Sequence, residues 1–354
     1  MEIVNPTISN KRQRLVWIDV LKFLAIFLVL WGHCIQHLTT PDFSSNQVFQ
    51  FIYSFHMPLF MILSGFFAYK LAIRSFKGVF VSKFLQLMLP AIVFGIVNWL
   101  QSRCLFHQTS KSLIQGLYYS FWFLKSLFVC IIMFHIGLKI SKRRYLGLII
   151  MLILSQLIDF IPHLKFLQLR YMFPCFVFGY IFFYFKDYFY RYYKGITYIS
   201  TVCFVLLLWH FNEFLLYPDI GIHNVLQMGG KIVYLLYYKL LIGFAGSIAF
   251  MGVIFALSKK LDCNKVFLKI ADYGRYTLAI YILQSSLLES WLKYFFNYTM
   301  LPFRDYFSLL YAPIISAIIL ALCIIICHCC DKAKLSWLFD YNKLWKLKSS
   351  KYQS

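Results

Sequence analysis

The sequence predicts an all-α fold: a polytopic integral membrane bundle of about ten transmembrane helices, with both termini cytoplasmic. Three observations carry this. The 354-residue chain is 61% hydrophobic and 21% aromatic, with a mean hydropathy of +0.70, which excludes a water-soluble globule. Apolar runs of about 20 residues, the length that crosses a bilayer core as a helix, recur along the whole chain. The basic residues between those runs fall mostly on alternate sides, as the positive-inside rule requires.

Taken in order, the apolar runs are 17–38, 48–69, 84–102, 117–138, 145–161, 169–186, 196–212, 238–258, 276–293 and 307–328. The first is too long for a signal-peptide core and lacks an A-x-A site, so it is expected to remain as a span. The run 145–161 is the shortest. With the amino terminus inside, the cytoplasmic segments receive Lys11, Arg12 and Arg14, then Lys70, Arg74, Lys77 and Lys83. Lys139, Lys142, Arg143 and Arg144 follow, then Lys186, Arg191 and Lys194. Lys259, Lys260, Lys265, Lys269 and Arg275 precede the lysines of the last segment. The net charge of +22 is therefore read as topology and attraction to anionic lipid, with no nucleic-acid partner. Residues 1–330 form one transmembrane domain and 331–354 a short basic tail. The connection at 213–237, with Gly221, Gly229 and Gly230, is the largest external loop and an expected lid.

Ten cysteines lie mainly in apolar runs. Cys323, Cys327, Cys329 and Cys330 gather around His328, but C-x-H-C-C matches no familiar ligand spacing, so no metal site is expected. Reduced, packing cysteines are the better reading.

Lys22 and His33 are the most informative residues. Eleven positions at about 100° each return to within roughly 20° of the starting direction, about 16 Å along one helix face. Ionisable groups inside a span are costly and usually functional. The bland alternatives are a snorkelling lysine and a satisfied core histidine. Asp19, three residues before Lys22, is explained by a local ion pair. Depth reckoning at about 1.5 Å per residue sets His56 near the level of His33, and Ser64 and Gly65 near Lys22. Gln284 falls mid-membrane. Glu289 falls near the height of His33, as the deepest of the three carboxylates (with Asp19 and Asp159) in or at the edge of a run. A His–Glu pairing would orient an imidazole as general base; an interfacial glutamate is the alternative.

These motifs have a recognisable order. The stretch R-L-V-W-I-D-V-L-K-F-L-A-I-F-L-V-L-W-G-H (Arg14–His33) resembles the signature of the membrane-bound acyltransferase-3 family, a basic residue and a histidine eleven positions on. F-I-Y-S-F-H-M-P-L-F-M-I-L-S-G-F-F (Phe51–Phe67) looks like its second motif, closest to the fucose 4-O-acetylase-like branch. W-F-L-K-S-L-F (Trp122–Phe128), F-V-F-G-Y (Phe176–Tyr180) and G-R-Y-T-L-A-I-Y-I-L (Gly274–Leu283) are weaker echoes. Two departures stand out: Gln284 where relatives often carry histidine, and only Lys83 and Gln86 before Pro90 where basic pairs are common.

The resemblance implies O-acyl transfer across a bacterial inner membrane, from cytoplasmic acetyl-CoA or another acyl-CoA to a hydroxyl of an envelope polysaccharide sugar. The acyl-CoA is a donor substrate, with no permanently bound cofactor. On this reading Lys22, Arg74 and Lys83 hold the CoA phosphates. His33 is the general base, with His56 and Glu289 as further catalytic candidates. Arg170, Trp122 and Gln284 are candidates for binding the carbohydrate acceptor. The competing class is an exporter that uses the intramembrane Lys, His and Glu residues as a relay. The oligomeric state is not legible in the sequence.

Overall fold

The computed structural model describes residues 15–105, 112–141, 143–158, 161, 163–216, 231–261 and 264–344. The chain is an all-α polytopic membrane protein: among the described residues seven helices are long and apolar enough to cross a membrane, and no strand occurs. The middle of the expected lid (217–230), Asp159, the basic residues before Leu15, Lys142 and the end of the tail (345–354) lie outside the described residues.

The helices, in chain order, are α1 (Val16–Leu38), α2 (Gln47–Phe66), α3 (Phe76–Cys104), α4 (Leu113–Tyr119) and α5 (Trp122–Ile140). They continue with α6 (Arg144–Ile158), α7 (Leu169–Trp209), α8 (Lys231–Leu261), α9 (Lys265–Tyr273), α10 (Thr277–Gln284) and α11 (Tyr311–Lys332). All ten apolar runs are largely helical where described. Three boundaries shift: α3 begins at Phe76 rather than 84, α11 at Tyr311 rather than 307, and α8 at Lys231 rather than 238, which makes 231–237 of the expected lid helical. Two further runs differ in kind. The fourth starts at Trp122 rather than 117, because Ser120 is extended and Phe121 takes a left-handed conformation (φ 49°) that ends α4. Lys125 then caps the broken end, its ammonium donating to the carbonyls of Leu117, Tyr118 and Ser120 at 2.5, 2.9 and 2.6 Å. That accounts for a lysine inside an apolar run.

The second difference is α7. The expected loop between 169–186 and 196–212 is helical throughout. The helix is nevertheless folded double, and α8 serves as the ruler. Phe178 packs on Phe244 (ring centroids 5.0 Å apart) and Phe189 on Phe255 (5.7 Å). Beyond that point the order reverses: Tyr193 also meets Phe255, Thr197 lies against Gly252, Phe204 against Gly246, and the Tyr238 hydroxyl donates to the Leu207 carbonyl. A straight helix would separate residues 178 and 204 by about 39 Å, yet their partners 244 and 246 are neighbours. Lys186, Asp187, Arg191 and Lys194 cluster around the bend, where charge meets water cheaply.

The core of the bundle is α1, α2 and the two limbs of α7, with α8 alongside. α2 and α7 approach to backbone contact. A methyl group added to Gly65 would strike the carbonyl of Phe176, and one added to Gly179 the carbonyl of Ile62. Small residues at such crossings let membrane helices pack where no hydrophobic drive separates protein from lipid. The crossing fixes α2, and with it every side chain that α2 sends into the interior.

Candidate functional site

Two cavities lie back to back inside the bundle, both lined by Val29, Met57 and Tyr281. The first, of about 480 Å³, has an apolar wall that includes Ile26, Phe60, Leu63 and Phe123. Its cations are Lys22, Lys70, Arg74, Lys83 and Arg275, and among the described residues no carboxylate lines it. The first turns of α1 supply Lys22, whose ammonium meets Asp19 at 3.2 Å and stands 4.6 Å from the Phe67 ring centroid. Lys70 lies 5.2 Å from the same ring, so Phe67 gathers two cations. Lys83 donates to Gln86 Oε1 at 2.6 Å, and the Gln86 amide donates in turn to Asp340 at 3.4 Å. Arg275 donates to the Tyr276 hydroxyl at 2.7 Å, which donates to Asp331 at 2.6 Å. Arginine and lysine converging on an apolar slot suit a ligand with phosphates at one end and an apolar arm at the other.

The second cavity, of about 770 Å³, is lined mainly by histidines, aromatic rings and amides, with Lys239 and Lys293 as its lysines. His33, His37 and His56 line it with the aromatic rings of Tyr53, Trp99, Trp122 and Tyr171 and the amides of Gln36, Asn98 and Gln168. His56 is buried, and its Nδ1 lies 2.7 Å from the Ile52 carbonyl. A carbonyl only accepts, so Nδ1 carries the hydrogen and Nε2 of the neutral ring keeps its lone pair. His33 Nδ1 lies 3.3 Å from His37 Nε2. Asn98 donates to Ser285 at 3.0 Å and accepts from Ser286, holding the widened helical turns Ser285–Leu292 that continue α10. Wide turns of this kind recur at functional sites. Aromatic faces and neutral amides around a histidine suit a sugar ring whose hydroxyl is to be deprotonated.

The structure brings His33, His56 and Trp122 together in the second cavity, and Lys22, Arg74 and Lys83 in the first. Ser64 joins Lys22, so the depth reckoning and the cavity linings agree. Arg170 and Gln284 line neither cavity. Arg170 is buried and donates to the Gln156 carbonyl at 3.1 Å, tying α7 to α6, while Gln284 is buried within the bundle. Tyr281 and Ser285 are the residues of that stretch that reach the cavities. The backbone of Glu289 lies in Ser285–Leu292, and its side chain lies outside the described residues. Sequence reasoning missed His37, although His-x-x-x-His sets two rings one turn apart on the same face. It also counted Arg275 as topology alone and gave Lys239 no role. Lys239 in fact lines the histidine cavity, donating to the Leu216 carbonyl at 2.7 Å.

Residues 15–328 match a family model described as an acyltransferase domain. Among curated proteins, the nodulation protein NolL of Sinorhizobium fredii (strain NBRC 101917 / NGR234) is 28% identical over 189 residues, 49% of this chain and 50% of that protein. The nodulation protein NolL of Mesorhizobium japonicum (strain LMG 29417 / CECT 9101 / MAFF 303099) is 30% identical over 141 residues, 37% of each. The chain thus spans half or less of the length of these curated relatives. No solved structure matches it.

Proposed function

The chain belongs to the acyltransferase domain family, and from that premise we propose that it is a transmembrane O-acyltransferase working between the two cavities. Acyl-CoA, most simply acetyl-CoA, enters the cation-rimmed cavity from the cytoplasm. Lys22, Lys70, Arg74, Lys83 and Arg275 take its phosphates, and the pantetheine arm runs along α1 past Val29, Met57 and Tyr281. A sugar hydroxyl of an envelope glycan waits in the histidine cavity against Trp122 and its aromatic neighbours.

The chemistry balances with His33 as the base. His33 Nε2 takes the hydroxyl proton as the oxygen attacks the thioester carbonyl. The new C–O bond forms, the C–S bond breaks and a thiolate leaves. The proton then passes from His33 to that thiolate, whose ordinary pKa of about 8.5 makes it a good leaving group. His56, with Nδ1 committed to Ile52, offers only an acceptor at Nε2, which suits a contact to a different hydroxyl of the same sugar. The observation that carries this reading is the meeting of a cationic cavity and a histidine-aromatic cavity at three shared residues.

The test is mass spectrometry of envelope glycans from bacterial cells with and without the protein. A base-labile acyl increment that depends on the protein, on glycan that reaches the surface either way, supports the proposal. Equal acylation with failed export would establish the transport alternative instead.

The donor site has its own prediction. Arg275→Ala and Lys83→Ala are each expected to raise KM for acetyl-CoA about tenfold, the worth of one charge-assisted hydrogen bond at the low end. Turnover of acetyl-pantetheine, which lacks the nucleotide, should not change. Equal losses with both donors would show that the cations do not read the phosphates.

A further inference from the structure

His37 lies one turn beyond His33 on α1, lines the same cavity, and has no part in the reaction as written above. The two rings are nearly parallel and meet edge to edge, with centroids 5.4 Å apart and planes 11° from parallel. His33 Nδ1 and His37 Nε2 are 3.3 Å apart. Two ring nitrogens at that separation share one hydrogen, because two lone pairs or two N–H groups facing each other repel. Two arrangements satisfy this. With the hydrogen on His33 Nδ1, the neutral His33 ring keeps a bare Nε2. With the hydrogen on His37 Nε2, His33 must carry its own on Nε2 and cannot accept a proton there.

We propose that His37 is a positioning residue that accepts the Nδ1–H of His33 and so keeps His33 Nε2 bare towards the acceptor hydroxyl. The inference rests on His33 being the base. Its second consequence concerns the charged ring. When His33 takes the proton it becomes an imidazolium, and the Nδ1–H···Nε2 bond becomes charge-assisted and stronger. His37 thus stabilises the charge that builds up during the attack, the service a carboxylate gives in a Ser-His-Asp triad, here from a neutral ring. His56 does not compete for this place, since its own Nδ1 hydrogen goes to Ile52.

The experiment uses inverted membrane vesicles that carry the endogenous glycan, titrated with radiolabelled acetyl-CoA, with label in the glycan normalised to the amount of protein. His37→Leu should lower apparent kcat about 10- to 100-fold, the range for a lost hydrogen bond to a charged group, and leave KM for acetyl-CoA unchanged. His37→Gln, whose Oε1 can accept the same hydrogen, should recover most of the loss. A His37→Leu variant with wild-type kcat, beside an inactive His33→Ala, overturns the inference and leaves His33 as base. An active His33→Ala overturns the base itself. A change confined to KM, or no recovery with glutamine, also overturns the positioning role. A measurement on the unmodified protein closes the case in which variants fail to accumulate: histidine ¹⁵N spectra should show His33 protonated at Nδ1, and protonation at Nε2 would refute the proposal.

Discussion

His33→Ala is expected to remove glycan acylation almost completely, by about 10²- to 10⁴-fold, the usual contribution of a positioned general base. The expectation rests on where the ring stands. His33 is half-buried and faces a cavity, while the buried side of α1 is carried by Ile18, Leu21, Ile26, Leu30 and Ile35. Truncating His33 therefore enlarges a space that already exists, and the variant should insert and accumulate like the wild type. Mass spectrometry of the surface glycan then reads chemistry rather than folding. His33→Gln should be nearly as inactive, because an amide keeps the shape but is no base. A glycan acylated normally by both variants would shift the role of base to His56, whose Nε2 is the other lone pair held ready in that cavity. His56→Ala would then be the inactive variant.

Much of this site is legible in the sequence because two of its elements are carried by single helices. The eleven-residue spacing of Lys22 and His33 alone implies two ends of one face, and the structure puts one residue in each cavity. Depth along antiparallel spans likewise brings His56 to His33 and Ser64 to Lys22. What periodicity does not supply is the inward direction of a helix that is apolar all round, since lipid and core look alike to it. Arg170 and Gln284 were candidates for acceptor binding, and the apolar pattern around them does not reveal that their side chains are buried outside both cavities. The same blindness hid Lys239. The doubling of α7 was legible through its charges, since Lys186 to Lys194 mark a crossing of the interface. That the turn is made without leaving helical conformation was not legible.

Three glycines of the motifs have a common explanation that the sequence only hinted at, and it yields the last prediction. S-G-F in α2 and F-V-F-G-Y in α7 are two halves of one contact, each glycine facing the other helix's carbonyl, while Gly274 of G-R-Y meets the carbonyl of Asp19 in the first motif. The obstacle at each place is backbone, which cannot rotate aside as a side chain does. Gly65→Leu and Gly179→Leu are therefore each expected to destabilise the bundle by at least the roughly 1–3 kcal/mol typical of overpacking. The thermal midpoint in detergent should fall for both. Because α2 supplies His56 to one cavity, Ser64 to the other and Met57 to both, any protein that survives should lose donor affinity and turnover together. The cavity-lining variants are not expected to show that pairing. Gly195→Ala is the control: no atom beyond its own stretch of helix lies within 4 Å of an added methyl group there, so its midpoint should not fall below the wild type. A Gly65→Leu protein that melts and works normally would mean that α2 and α7 do not cross at backbone contact. The alignment of the two cavities would then need another cause.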